Sequence, residues 1–383
     1  MNESDGPGEQ PPDAAPPVAE TAALLAGCRQ EIDDLDRQLV GLLNARARVV
    51  ERVGRIKQQG SIAAFIPERE ESVFDNVRAA SQGPLPADGL KAIYREILSA
   101  MRSLEDHLTV AYLGPSHTFT HEAANRRFGS AARYLPQPAV KDIFAAVERG
   151  IADYGVAAIE NSIQGVVTAT LDAFVNADQN LKVCAEIILP ISHYLLGVGP
   201  IDSVRRVYSH PMAIGQCRNW LAAHLPAAEQ IEVSSTSRAA ELTQDDPTAA
   251  AIGARIAAEH YHLKLLAEHV QDRSDNATRF YVLGHQIGQR SGNDRTAVML
   301  SIRDRVGALH DITGCLVRHG LNMTHFDHRP SQRRVWDYVF FLEIVGHPND
   351  PGVEAALEEL RDYCLSVRVL GAWRQGELAA VKA

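Results

Sequence analysis

The chain has 383 residues, 45% of them hydrophobic, with a formal net charge of −10; this is room for two or three domains with their own cores, and an acidic balance that argues against a nucleic-acid partner. Five cysteines (28, 184, 217, 315, 364) are odd in number, widely spaced and lack any Cys-x-x-Cys, which favours reduced thiols in a cytoplasm over a disulfide framework or a zinc site. Dinucleotide and phosphate loops, a complete zinc-protease helix pattern and an apolar run of the roughly 20 residues that span a membrane are all missing, so the expectation is a protein with no cofactor, no metal and no membrane segment.

Residues 1–20 hold five prolines with glycine and acidic residues, a composition that buries no core and reads as a disordered leader. From Thr21 to about Gly60, Leu25, Cys28, Ile32, Leu35, Leu39, Leu42, Val49, Val53 and Ile56 recur at three- and four-residue steps. A helix of that length is about 55–60 Å long and needs partners, for which a homodimer is the economical solution. Arg46 and Lys57, 11 residues apart, return to nearly the same face; Arg29 lies about 25 Å from Arg46 and about 100° round, within reach of one small site only from a partner chain. By themselves such cations describe a solvated helix face. Two shorter helices follow near 68–82 and 87–106, punctuated by Pro67, Pro84 and Pro86.

At Leu108 the texture changes to alternating strands and helices. Strands are expected at Thr109–Gly114, Tyr154–Ile159, Val183–Ile188, Tyr194–Val198, Val204–Ser209, Ile231–Val233 and Ala249–Ile252, with helices at Thr118–Gly129, Val140–Gly150, Ala213–His224 and Arg238–Thr243. Two α/β lobes, near 109–185 and 187–272, would enclose a cleft. Polar Asp272–Asn276 then feeds the strand Arg279–Gly284, which would return to the first lobe with Thr278 at its mouth. After a linker at 285–295 the order is strand Thr296–Ile302, helix Gly307–Arg318, strand Leu321–Phe326, strand Tyr338–Val345, helix Val353–Tyr363 and strand Ser366–Leu370, a β-α-β-β-α-β ferredoxin-like unit.

Four motifs occur in order: Leu113-Gly114-Pro115-Ser116-His117-Thr118-Phe119-Thr120, Ile159-Glu160-Asn161-Ser162-Ile163-Gln164-Gly165, Tyr208-Ser209-His210-Pro211 and Asn276-Ala277-Thr278-Arg279-Phe280. This set resembles prephenate dehydratase, and the flanking segments extend the resemblance to the bifunctional chorismate mutase–prephenate dehydratases. It implies an all-α mutase domain over 21–107, a two-lobed α/β dehydratase domain of periplasmic-binding-protein-like fold over 108–287, and an α+β ACT regulatory domain over 296–373. Chorismate and prephenate are the implied substrates, phenylalanine the implied allosteric inhibitor, and a homo-oligomer the implied assembly.

In the mutase domain the resemblance places Arg29, Arg46, Lys57, Arg69 and Glu70 at the active site. A rearrangement within one molecule needs its compact conformer held and the charge on its ether oxygen stabilised. Arginine forks suit the two carboxylates, Lys57 the oxygen and Glu70 a hydroxyl. Ile66, Met101 and Glu105 depart from the family's usual aspartate, serine and glutamine. Glu105 donates to the ether oxygen only when protonated, so mutase activity is expected to fall as it ionises. An inactive mutase domain is the alternative these departures raise.

In the dehydratase, loss of carbon dioxide and hydroxide from prephenate is driven by aromatisation, so the enzyme must assist the departing hydroxyl. The resemblance assigns this to Thr278, with His210, Glu160 or a water sharing the proton. Arg279 is expected to hold a carboxylate or to brace the loop, and Asn161, Ser209, Gln216, Cys217 and Phe280 to line the cleft. Cys217 and Phe280 suit packing better than catalysis. In the ACT unit, Gly307-Ala308-Leu309 and Asn322 match the amino-acid-binding loop, and Asp327-His328-Arg329-Pro330 stands where Glu-Ser-Arg-Pro is usual. Two lobes round a cleft also describe a non-catalytic ligand sensor, from which Thr278 in its motif distinguishes this chain.

Overall fold

The computed structural model describes residues 18–60, 67–105, 107–302, 305–331 and 338–376. Residues 1–17 of the expected leader, and Ile66, lie outside them. The chain divides into two compact units, residues 1–62 and 63–383.

The described residues of the first unit form one long helix, α1 (Val18–Gly60), 43 residues long and about 65 Å at 1.5 Å per residue. It begins three residues inside the expected leader. Leucine, alanine and arginine are its commonest residues and no proline interrupts it, which favours helix over other conformations. Leu24, Ile32, Leu35, Leu39, Leu42, Val49, Val53 and Ile56 are 38–69% exposed along it.

The second unit begins with α2 (Pro67–Ala80) and α3 (Ala87–Arg102), started by prolines where no backbone donor is needed. A first α/β lobe follows: β1 (Thr109–Leu113), α4 (Phe119–Phe128), β2 (Arg133–Gln137), α5 (Val140–Glu148), β3 (Tyr154–Asn161), β4 (Gly165–Val166), α6 (Thr168–Asn176) and β5 (Lys182–Pro190). The second lobe holds β6 (Tyr194–Gly197), β7 (Arg206–Ser209), α7 (Pro211–Gln216), α8 (Arg218–His224), β8 (Glu229–Glu232), α9 (Thr236–Leu242), β9 (Ala249–Gly253), α10 (Arg255–Tyr261) and β10 (Lys264–Ala267). Then β11 (Ala277–Gly284) returns to the first lobe, between β3 and β5 and antiparallel to both. The C-terminal part is β12 (Asp294–Ile302), α11 (Ala308–Arg318), β13 (Met323–Pro330), β14 (Tyr338–Val345), α12 (Pro351–Tyr363) and β15 (Cys364–Arg374), the expected ferredoxin-like order.

The second lobe has its own sheet, ordered β10-β6-β9-β7-β8. The first lobe and the C-terminal part share one, ordered β13-β14-β12-β15-β5-β11-β3-β1-β2 with β4 beside β3. They join where β15 meets β5, Gly371 opposite Val183. A Cβ on Gly371 would lie 2.1 Å from the Val183 carbonyl oxygen, so only glycine allows this approach. One face of the shared sheet packs Ile159, Tyr281 and Leu283 against Ile143, Leu171 and Phe174 of α5 and α6. The other packs Val156, Phe280 and Val282 against Ala123, Ala124 and Phe128 of α4.

Several expectations change in detail. The single helix expected over 213–224 breaks at Cys217 (φ −116°, ψ 14°), giving α7 and α8. The strand expected over Leu321–Phe326 runs on to Pro330, so Asp327–Pro330 belongs to β13 at the sheet's edge. β2, α6, α10 and β10 had no expectation. β2 contains Pro136, a residue a strand tolerates at the sheet edge where β2 lies.

Candidate active site

Strand alternation decides what surrounds Thr278. On β11, Thr278, Phe280 and Val282 point to the α4 face, while Arg279, Tyr281 and Leu283 point to the opposite one. Thr278 lies opposite Asn161 on β3, and the Asn161 Nδ2 donates to its hydroxyl at 2.9 Å. The amide orientation is secured because Asn161 Oδ1 accepts from the backbone of Ile163 (3.0 Å) and Gln164 (3.1 Å). An oxygen that accepts from an amide keeps its own proton to give, so Thr278 is left as a donor.

The same Nδ2 reaches Asn276 Oδ1 at 2.9 Å, Asn276 Nδ2 donates to Gln216 Oε1 at 3.2 Å, and His193 Nε2 meets that oxygen at 2.7 Å. Burial lowers the His193 pKa, so the ring is neutral with its proton on Nε2 toward Gln216. The loop before β11 is tied to both lobes. The Ser162 hydroxyl donates to the Asp275 carbonyl and accepts from the Ala277 amide, and Asp272 accepts from the Asn219 and Trp220 backbone at the start of α8. Thr278 therefore sits where the lobes meet, at the start of β11 and just after a loop held from each side.

Other expected residues have different surroundings. Ser209 is fully buried and its hydroxyl donates to the Ile252 carbonyl at 2.7 Å, a structural bond. Cys217 is fully buried; burial, then Asp272, pushes its thiol up to about 12, which rules it out as a thiolate at neutral pH. His210 caps α7, its Nδ1 accepting from Met212 N at 3.3 Å. Phe280 is 2% exposed within the α4-face core. Arg279 and Glu160 turn away from Thr278, and Arg279 braces rather than waits for substrate. Its guanidinium meets Glu160 at 2.9 Å, Glu343 at 2.6 Å and Glu186 at 3.4 Å. Burial opposes its charge, but Glu343 foremost more than compensates and its pKa rises.

Sequence reasoning named neither Asn276 nor His193 as a site residue. Asn276 stood inside a quoted motif, whereas nothing local marked His193. It also missed a histidine contact between the lobes. His117, ahead of α4 and in the left-handed region (φ 66°), stacks on His260 of α10 with ring centroids 3.6 Å apart. His121 packs edge-on at 5.3 Å. Burial, then His260 and His121, push the His117 pKa down to about 4.

Of the mutase residues, Arg29, Arg46 and Lys57 lie on α1, Arg29 exposed and the other two half-buried. Arg69 and Glu70 lie on α2, Arg69 exposed and Glu70 buried, its carboxylate 2.9 Å from Arg102. Met101 is buried in α3 and Glu105 half-buried just beyond it. In the C-terminal part Gly307 is left-handed (φ 82°) at the start of α11, with Ala308 buried and Leu309 exposed beside it. Asn322, His328 and Pro330 are exposed and Asp327 half-buried, while Arg329 forks onto Asp172 of α6 at 2.6 and 2.8 Å. Among the described residues, the donor atoms of Cys315, His319 and Glu359 come within 4.8 Å of one another. The Glu359 carboxylate there is already held by Arg318 and by His319 at 2.7 Å.

The chain matches the family profile of chorismate mutase type II over residues 28–106, of prephenate dehydratase over 110–287 and of the ACT domain over 296–362. It is 42% identical over 350 residues to a bifunctional chorismate mutase/prephenate dehydratase of Aquifex aeolicus, covering 90% of this chain and 96% of that one. Its identity to the Neisseria gonorrhoeae protein of the same name is 40%, over 91% and 97%. Prephenate dehydratase from Arthrobacter aurescens, solved in complex with L-Phe, superposes with a TM-score of 0.65 at 33% identity, covering 72% of this chain and 93% of that one. With these relatives matched across nearly their whole length, the chain belongs to the bifunctional chorismate mutase/prephenate dehydratase family.

Proposed function

We propose that this protein rearranges chorismate to prephenate and then converts prephenate to phenylpyruvate, carbon dioxide and water, under inhibition by phenylalanine. The observation that carries the second step is the Asn161–Thr278 hydrogen bond, 2.9 Å, at the meeting of two lobes. Asn161 fills the acceptor position of the hydroxyl, and Thr278 donates toward the departing oxygen of prephenate. As the carbon–oxygen bond breaks, the electrons of the carboxylate–ring bond complete the aromatic ring, carbon dioxide leaves, and the hydroxide takes the Thr278 proton and departs as water, Thr278 regaining its proton from solvent. Asn276, Gln216 and His193 hold Asn161 in place. The mutase step is assigned to Arg29, Arg46, Lys57, Arg69, Glu70 and Glu105, with the division at 21–107, 108–287 and 296–373.

The phenylalanine site is assigned to Gly307, Ala308, Leu309, Asn322 and the Asp327–Pro330 segment. The L-Phe complex of the Arthrobacter dehydratase supports phenylalanine as the ligand. The exposed apolar stripe of α1 supports a homo-oligomer, in which a second copy covers it, and the odd number of widely spaced cysteines supports a cytoplasmic location.

The test supplies the purified protein with chorismate alone and follows chorismate loss and phenylpyruvate formation. Phenylpyruvate without added prephenate is the expected result. Phenylpyruvate only from added prephenate would mean a silent mutase, and no turnover of either would leave a ligand sensor.

A further inference from the structure

We propose that two ionic contacts, Glu343–Arg279 and Arg329–Asp172, carry the regulatory signal from the C-terminal sheet to Thr278. The inference rests on phenylalanine acting at that sheet.

Glu343 stands on β14, 1% exposed, and accepts from Arg279 at 2.6 Å, Tyr281 at 2.5 Å and Arg295 at 3.3 Å. Burial works against its charge, yet Arg279 and the Tyr281 hydroxyl hold its pKa below the ordinary glutamate value. Arg279 is the residue after Thr278, and another of its partners, Glu160, is the residue before Asn161. The cluster thus grips, on the outer face of the sheet, the neighbours of both members of the pair on the inner face. Any sideways shift of β14 pulls on Arg279 and so on the backbone that sets the Thr278–Asn161 distance.

β14 is in turn registered to β13, His325 opposite Glu343 and Asp327 opposite Phe341. The segment assigned to phenylalanine therefore lies one strand away. Arg329 of that segment forks onto Asp172 of α6, and α6 is fastened to β3 through Thr170 and the Ala158 carbonyl. Both contacts end on the β3–β11 pair. Directional charged bonds transmit displacement where apolar packing alone could slip.

The experiment measures the dehydratase rate against phenylalanine concentration, relative to each protein's own uninhibited rate, and phenylalanine binding by calorimetry. Glu343→Gln keeps the shape and removes the charge; Glu343→Asp keeps the charge and serves as rescue; Asp172→Asn breaks the fork at a partly exposed site. Glu343→Gln and Asp172→Asn are expected to bind phenylalanine while the half-inhibitory concentration rises about tenfold or more, within the range of measured allosteric couplings. Glu343→Asp should stay near wild type, which a purely packing role for residue 343 would not produce. Both charge-removing variants inhibited at the wild-type concentration would overturn the proposal and leave the regulatory reading intact. If Glu343→Gln does not fold, Asp172→Asn decides alone. A wild type that neither binds phenylalanine nor slows would sink the regulatory reading and this coupling with it.

Discussion

Asn161 shows most directly how one side chain sets the chemistry of another. It fixes the hydroxyl of Thr278 as a donor because an amide nitrogen can only give a hydrogen bond. Asn161→Asp, nearly the same shape, turns that donor into an acceptor and draws the Thr278 proton inward. A fall of about 10²-fold in dehydratase kcat is expected, the scale on which acid catalysis contributes, with a smaller change in KM. Steady-state kinetics on prephenate would check it, and an unchanged kcat would remove the role given to this pair. Thr278, Asn161 and Gln216 were legible because each stands in or near a motif. His193 was not, since a histidine joins the site only through the meeting of the lobes. For Arg279 the sequence left a carboxylate holder and a brace both open, and could not choose between them, because its partners Glu186 and Glu343 are 93 and 64 residues away in the chain.

At the level of elements, the long helix, the β11 return and the ferredoxin-like unit all follow from periodicity and turn chemistry in the chain. What local patterning could not provide is the continuous sheet through β15 and β5, because one glycine makes it. Gly371→Ala would drive a methyl group against Val183 backbone. It is expected to cost about 1–3 kcal/mol, as overpacking does, and to lower the thermal midpoint measured by calorimetry. A midpoint equal to wild type would show that the two sheets part without loss. The split of α7 from α8 was likewise hidden, since Cys217 has no strong helix-breaking character. Its non-helical backbone is instead accompanied by Asp272 capping α8 from the distant Thr278 loop.

Across the whole second unit, the His117–His260 stack joins the two lobes and makes their closure sensitive to acid. The His117 pKa is lowered to about 4 from an ordinary 6.5, so its neutral form is the folded one. Between those values the unfolded chain binds more protons than the folded one; this contribution to stability is present above about pH 6.5 and is lost as pH falls toward 4. The thermal midpoint should therefore drop between pH 7 and 5. His260→Phe keeps an aromatic ring against His117 with no ring nitrogen, and its midpoint should drop less. Parallel profiles for the two proteins would exclude the stack as the acid-sensitive contact.

The order of the three domains, the helical, α/β and ferredoxin-like textures, and the place of Thr278 at the mouth of a strand were determined by the sequence alone. Periodicity, turn residues and motifs are local properties that a chain carries before it folds. Tertiary structure alone decided that Arg279 and Glu160 face away from Thr278, that His193 joins its hydrogen-bond network, and that Glu343 reaches the same strand from the C-terminal sheet. Those assignments depend on which face of a strand each residue takes and which distant strand lies beside it. They are settled only when β11 inserts between β3 and β5.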